Sequence, residues 1–552
     1  MKVESLRNQL GWISIFGAVA TTLIITPTFS SEPINIPKLM IMGLFAFLIL
    51  GVVLNRVKSL FSKADLAFLG ISGFFFVDLI LVLFFSGSSF NEQFFGTYGR
   101  NTGFLSYVCL LIFMMCGYLI SSDILNIRIL SSLVIVGIIS SAYGLIQFFN
   151  HDPIKWNNPY NRIIGFVGNP DFASSLMGIC TIASFALMLK HKFNWGFKSL
   201  LLLLNFVTIY LIIKSRAQQG MIVLGLGFVV TLWVFVFWKS KAPRLFFWLF
   251  SLFVVTLGSF VVLGSLNTGP LSFLYKVSVR QRGFYWSAAM KMLVNNPVFG
   301  IGLDSYGDNY LKYRSSKAAF YSLQTQSNAA HNVVLDFASN GGFPLLLSYL
   351  SILLYALFVS LRYIRNMSKF DINFSVIFAA WVGYQAQSII SINQLGLAIW
   401  GWLLTGVLIG YGKVNSPKVE KVSSRKRSVK SNKGNLAVPL ICLSLGILLF
   451  IPPFLADRNY RNASASRNAQ ELIKTAKSYP EDYGRTIQVA SLLANSKLND
   501  LAIQLSEYVI SKNPKNYNAN LLLLQLTSPD SSKHKKALSQ IKVLNPFDKT
   551  LK

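Results

Sequence analysis

Apolar runs of about 17–22 residues, separated by short polar stretches, recur from Leu10 to Leu455. A helix of that length crosses a hydrocarbon core of roughly 30 Å and satisfies every backbone polar group within itself, as lipid requires. The pattern predicts about thirteen spans, near 9–28, 36–54, 65–85, 104–121, 129–148, 172–190, 197–213, 219–238, 246–265, 343–361, 373–392, 396–412 and 436–455. The first run has no small-residue cleavage site and a second span follows at once, so it reads as a retained helix, not a signal peptide. The expected fold class is all-α, a polytopic membrane protein. Its polytopic domain covers 1–412 with a large loop at about 265–331, a basic loop at 413–435, a last transmembrane helix at 436–455 and a polar tail at 456–552.

Basic residues fall on alternate loops and set the orientation. With the N-terminus in the cytoplasm, the inner loops carry Arg56, Lys58 and Lys63; Lys190, Lys192 and Lys198; Lys239, Lys241 and Arg244; Arg362, Arg365 and Lys369; and the cluster from Lys413 to Lys433. The net charge of +30 is then explained by topology and by attraction to anionic lipid. It calls for no nucleic acid. All four cysteines lie in apolar spans without metal-ligand spacing. The expected location is a bacterial cytoplasmic membrane, with the tail on the exoplasmic side.

The outer loops break the charge rule. They keep Arg100, Arg162, Arg216, Arg280 and Arg282, although arginine there works against the topology signal. Guanidinium binds phosphate oxygens bidentately and stays charged at a membrane, so the five are candidate pyrophosphate ligands. In RIIGFVGNPDFASS, Asn169 or Asp171 is placed to cap the sixth span with Pro170 in its first turn. The large loop predicts a short amphipathic helix at 284–293, ended by Asn296-Pro297, with Gly300 and Gly302 making a tight turn. Trp286 and the nearby tyrosines suit an interface belt or stacking on sugar rings. His331, one of four histidines, stands where this loop meets the next span, followed by Asn332, which is placed to orient it. Imidazole is a base near neutral pH, as deprotonation of a sugar hydroxyl requires.

No P-loop, no GxGxxG after a strand and no Asp-x-Asp metal pair is present, and no inner loop is large enough for a nucleotide-sugar domain. A glycan transferase of this kind needs a donor delivered in the membrane and already activated. Its pyrophosphate is a good leaving group, and arginines can supply the charge stabilisation that a metal gives elsewhere. No metal or cofactor is expected.

Six segments in order, GTYGRNTGFLSY, AYGLIQFF, RIIGFVGNPDFAS, SRAQQG, RGFYWSAAMKMLVNNPVFGIG and HNVVLDFASNGGF, resemble the O-antigen ligase and polymerase superfamily over about 90–412. The resemblance implies a GT-C-like membrane fold and inverting transfer of an undecaprenyl-pyrophosphate-linked glycan to a hydroxyl acceptor on lipid, protein or glycan. It implies His331 as the base and Arg282 and Arg216 as pyrophosphate ligands, with Arg280, Arg100 and Arg162 less closely matched. In SRAQQG, alanine follows the arginine where the family often has glycine. The motifs do not separate a ligase from a polymerase. An anion transporter is the competing class, because outer arginines attract anions too; the spans hold few charges, Asp78 chief among them. In the tail, Pro480, Pro514 and Pro546 recur at intervals of 34 and 32 residues behind amphipathic runs. This resembles tetratricopeptide repeats, a helical tail suited to packing on the membrane domain or to a protein partner.

Overall fold

The computed structural model describes residues 3–62, 65–156, 158–159, 162–190, 193–239, 244–265, 267–272, 277–321, 325–414, 436–466 and 468–548. From residue 415 on, the basic loop expected at 413–435 lies outside them, as do His191, Lys63, Lys192 and Lys241. Among the described residues the chain is helical without strands, and nine helices are long and apolar enough to cross a membrane, with shorter apolar helices at Phe104–Ile120 and Leu395–Tyr411. The protein is a polytopic helical membrane protein.

Each expected span corresponds to a helix; the differences lie at the ends. The first helix is Val3–Leu23. Its opening turn is polar and so carries no apolar signal. Its far end is closed from outside: Lys38, fully buried, donates Nζ to the carbonyls of Thr21 (3.1 Å), Thr22 (2.8 Å) and Ile24 (2.9 Å). A cation here answers both the orphan carbonyls and the helix dipole. The last span runs on as Ala437–Ser466, because Asp457 in its extension is buried and employed. It accepts the backbone N–H of Ser31 (2.7 Å) and Glu32 (2.9 Å) and the Tyr98 hydroxyl (2.5 Å).

Small residues set one of the close helix pairs. Gly406 and Gly410, a GxxxG pair in Leu395–Val414, lie against Phe104–Ile120. A Cβ at Gly406 would stand 1.8 Å from the Met114 carbonyl oxygen, and one at Gly410 2.4 Å from that of Tyr118. Without a hydrophobic drive in lipid, such backbone approach is what holds helices together.

The span expected at 343–361 is the second half of a longer helix, Val333–Asn366, broken at Gly342 (φ +70°). The break receives the large loop. Phe343 N–H donates to Pro297 O (2.7 Å), Ile301 N–H to Ser339 O (2.9 Å) and Gly302 N–H to Asn340 O (3.0 Å). Gly300 and Gly302 both have positive φ, and a Cβ on Gly300 would meet the Asn340 backbone at 2.3 Å. The tight turn expected there is present, and it docks the loop on the helix that begins just after His331.

Beyond Ser466 the tail folds as Ala469–Ala476, then the helices Tyr483–Asn495 with Asn499–Lys512 and Tyr517–Leu526 with Ser532–Leu544. The two latter pairs end at Asn513-Pro514 and Asn545-Pro546. Both asparagines reach the membrane domain. Asn513 Nδ2 donates to Glu92 Oε2 (2.8 Å) and Asp308 Oδ2 (2.7 Å), and Asn545 Oδ1 accepts from Arg314 Nη2 (2.8 Å). The asparagines that end these two helix pairs therefore help to seat the tail, on the large loop and on the Phe90–Phe95 helix.

The acids under Asn513 make that seating sensitive to pH. Burial pushes Asp308 up to about 6. Burial, then Asp308, Asp482 and Asp304, raise Glu92 well above the usual carboxyl range, against the Asn513 hydrogen bond. A carboxyl whose folded pKa is raised penalises folding once it must ionise. The penalty is absent below the unfolded value near 4 and complete for Asp308 above about 6. Hydrogen-exchange protection factors of the 499–544 helices, normalised to the intrinsic rate at each pH, are expected to be larger at pH 5 than at pH 8, with Asp308→Asn reducing the difference. Equal protection at both pH values in the wild-type protein would refute it.

Candidate active site

His331 is fixed by its backbone. Asp336, five residues on and buried, accepts the Ala330 N–H at 2.8 Å, and Ser327 Oγ donates to Ala329 O at 2.7 Å. Held between these, His331 adopts φ +52°, a left-handed conformation that costs a non-glycine residue roughly 1–2 kcal/mol and persists where the surroundings enforce it. Asn332, expected to orient the histidine, caps the next helix instead: its Oδ1 accepts from Leu335 N–H at 3.1 Å. The ring is oriented by Tyr285, stacked at a centroid distance of 5.3 Å. Tyr285 lies in Val277–Asn295, a longer helix than the 284–293 expected. Its added first turns carry Arg280 and Arg282. The imidazole is pushed down to about 4, by burial first and then by Arg282 and Arg100, so it is neutral at pH 7.

The five arginines divide. Arg282 meets Asp171 Oδ2 at 3.4 Å, and Gln219 Nε2 donates to the same oxygen at 3.2 Å. Asp171 sits in the first turn of Pro170–Met188, which Asn169 caps (Asp171 N–H to Oδ1, 2.8 Å) with Pro170 in its first turn, as the sequence predicts. Gln219 is the second residue of Gln218–Lys239, a helix that begins two residues after Arg216, which is exposed at φ +54°. Arg282 thus meets the first turns of two helices, through Asp171 and its partner Gln219. It lies close enough to His331 to lower its pKa, and a helix N-terminus with an arginine suits an anion. Arg280 is exposed and stands over the Tyr321 ring at 4.5 Å. Arg162 is exposed on its loop. Among the described residues no hydrogen bond or ion pair joins its side chain to the others. Arg100 is buried: its Nε lies 3.2 Å from Asp304 Oδ1, and its Nη1 donates to Asn328 O.

Asp304 carries no motif signal in the sequence. It accepts from Thr97 N–H (2.8 Å), Thr102 Oγ1 (3.0 Å) and Arg100, with its own φ at +54°. It ties the Gly96–Gly103 turn to the loop that carries His331.

A cavity of about 460 Å³ opens beside His331, walled by the Gly96–Gly103 turn, the large loop and the tail residues Asn516, Tyr517 and Asn518. An arginine-flanked histidine beside a polar cavity, at one end of a helical membrane bundle, defines a membrane protein with the means for acid–base chemistry next to an anion. Residues 200–350 match the model of the O-antigen ligase family, so this part of the chain is similar to that family. The match supports ligase- or polymerase-type glycan transfer as its class of function. No curated protein matches the chain.

The position of Arg282 predicts the pH dependence. A general base at His331 would be active when neutral, so kcat/KM for the donor is expected to stay level from pH 8 to 5 and to fall only toward the His331 value of about 4. An anionic donor group held at Arg282 would offset its charge, so the acid limb of kcat should then lie higher. Arg282→Gln should raise the free-enzyme limb as well. A limb left in place by that substitution, in pH–rate profiles of both proteins, would separate Arg282 from His331.

Proposed function

We propose that this protein is an O-antigen ligase-like glycosyltransferase. It moves a glycan from undecaprenyl pyrophosphate to a hydroxyl acceptor on the outer face of the bacterial cytoplasmic membrane, with the N-terminus inside and the tetratricopeptide-like tail outside, in cell-surface polysaccharide assembly. The observation that carries the reading is His331, neutral, stacked on Tyr285 and close to Arg282. His331 takes the acceptor hydroxyl proton as that oxygen attacks the anomeric carbon. The bond from that carbon to the pyrophosphate oxygen breaks, and the lipid pyrophosphate leaves with the electron pair. Attack opposite the leaving group inverts the anomeric centre. Arg282 and Arg216 hold the pyrophosphate, Arg280 stands at the approach, and the imidazolium returns its proton to water.

The transfer is metal-independent in this reading, since guanidinium charge opposes the growing charge on the leaving group. Protein in nanodiscs, given undecaprenyl-pyrophosphate-linked glycan and a hydroxyl acceptor, is expected to form product at the same rate with and without chelator. Activity lost to chelator and restored by a divalent ion would sink the metal-independent route. A ladder of products marks a polymerase and a single added glycan a ligase.

A further inference from the structure

We infer that the cavity beneath the tail is the acceptor subsite, that it takes a neutral saccharide, and that Tyr517 and Asn518 of the tail help to choose which one. This rests on the transferase reading above. The cavity's volume, about 460 Å³, falls within the roughly 300–1,000 Å³ of ligand pockets. Its chemistry is that of a hydroxylated ligand. Gln326, Asn328 and Asn518 present side-chain amides that both donate and accept, while Tyr285 and Tyr517 offer ring faces to sugar C–H groups.

The wall also excludes alternatives. Glu92, Asp304 and Asp308 line it, and among the described residues no lysine or arginine does. Pyrophosphate is disfavoured there and belongs on the Arg282–Asp171 side of His331. No leucine, isoleucine, valine or methionine lines it either, which argues against a lipid chain. His331 forms part of this wall while Arg282 is close enough to depress its pKa, so the base lies between an uncharged hydroxyl and an anionic leaving group.

The tail's share in the subsite is direct. Gln326, in the segment leading to His331, donates Nε2 to Asn518 Oδ1 at 3.4 Å. Tyr517 packs against the core of the large loop, next to Tyr285 and Tyr310. A tail that only stabilised the fold would have no need to place an exposed amide and a half-buried tyrosine at the rim of the base's cavity.

The test uses full-length protein in nanodiscs, lipid-linked glycan extracted from the source cells, and a panel of neutral and acidic oligosaccharides as acceptors. Asn518→Ala, an exposed position that puts no folding at risk, and Tyr517→Ala are each expected to raise the acceptor KM about tenfold or more while the donor KM stays near wild type, a loss of binding confined to one substrate. Tyr517→Phe, which keeps the ring, should recover most of it. Acceptor KM unchanged in both alanine variants overturns the subsite and leaves the transferase intact. Transfer by the wild type only to acidic acceptors overturns the ligand class. No donor consumed by the wild type overturns the transferase reading itself, and the acceptor role with it.

Discussion

Replacing His331 with alanine is expected to lower glycan transfer about 10²–10⁴-fold, the usual contribution of a positioned general base. The loss should fall on the chemical step, with the donor KM little changed, because the proposed pyrophosphate ligands, Arg282 and Arg216, stand on other elements. A base pushed down to about 4 is weak in the free enzyme, and this places the effect within the range: bound pyrophosphate must cancel part of the Arg282 charge before the ring can accept a proton well. His331→Gly separates catalysis from structure. The position has φ +52°, which glycine adopts without the left-handed penalty, so the glycine variant should be at least as stable as wild type in detergent melting and still inactive. A glycine variant that retains transfer would remove His331 from the mechanism.

What the sequence made legible follows from where each signal resides. A transmembrane helix of about 20 apolar residues carries its own mark, so the spans could be read one by one. The polar first turn of Val3–Leu23 and the membrane-exiting turns of Ala437–Ser466 carry none, and there the limits moved. His331 stood out as a candidate base at the head of a span, and Asn169 stood out as the cap it proves to be. Asp304 and Asp336 did not stand out, because a buried carboxylate takes its meaning from its partners. Those partners are the turn at Thr97–Thr102, distant in sequence, and a single backbone N–H at Ala330. The proline spacing of the tail could be read from the sequence, and helix pairs stand before Pro514 and Pro546. That the tail's Asn-Pro asparagines point at Glu92, Asp308 and Arg314 was not legible, since spacing gives a period and no address.

Arg100 is the sharpest case, and it can be decided. Its sequence setting suits a pyrophosphate ligand, while the structure buries it (side chain 6% exposed) against an Asp304 that is fully buried. Removing one partner of a buried ion pair leaves an uncompensated charge and costs roughly 3–5 kcal/mol, whereas removing both is far milder. Arg100→Ala is therefore expected to lower the melting midpoint of the detergent-solubilised protein and to lose transfer along with the fold of the site. The Arg100→Ala, Asp304→Ala double variant should be clearly more stable than the sum of the two single losses, the mark of a direct coupling. If Arg100 were a donor ligand, the single variant would melt as wild type does and show a raised donor KM alone. The five outer arginines would then act on the leaving group more nearly as one set. If the pair is coupled as the geometry indicates, the positive charge at the leaving group comes from Arg282 and Arg216, and Arg100 serves by holding in place the turn and the loop between which His331 works.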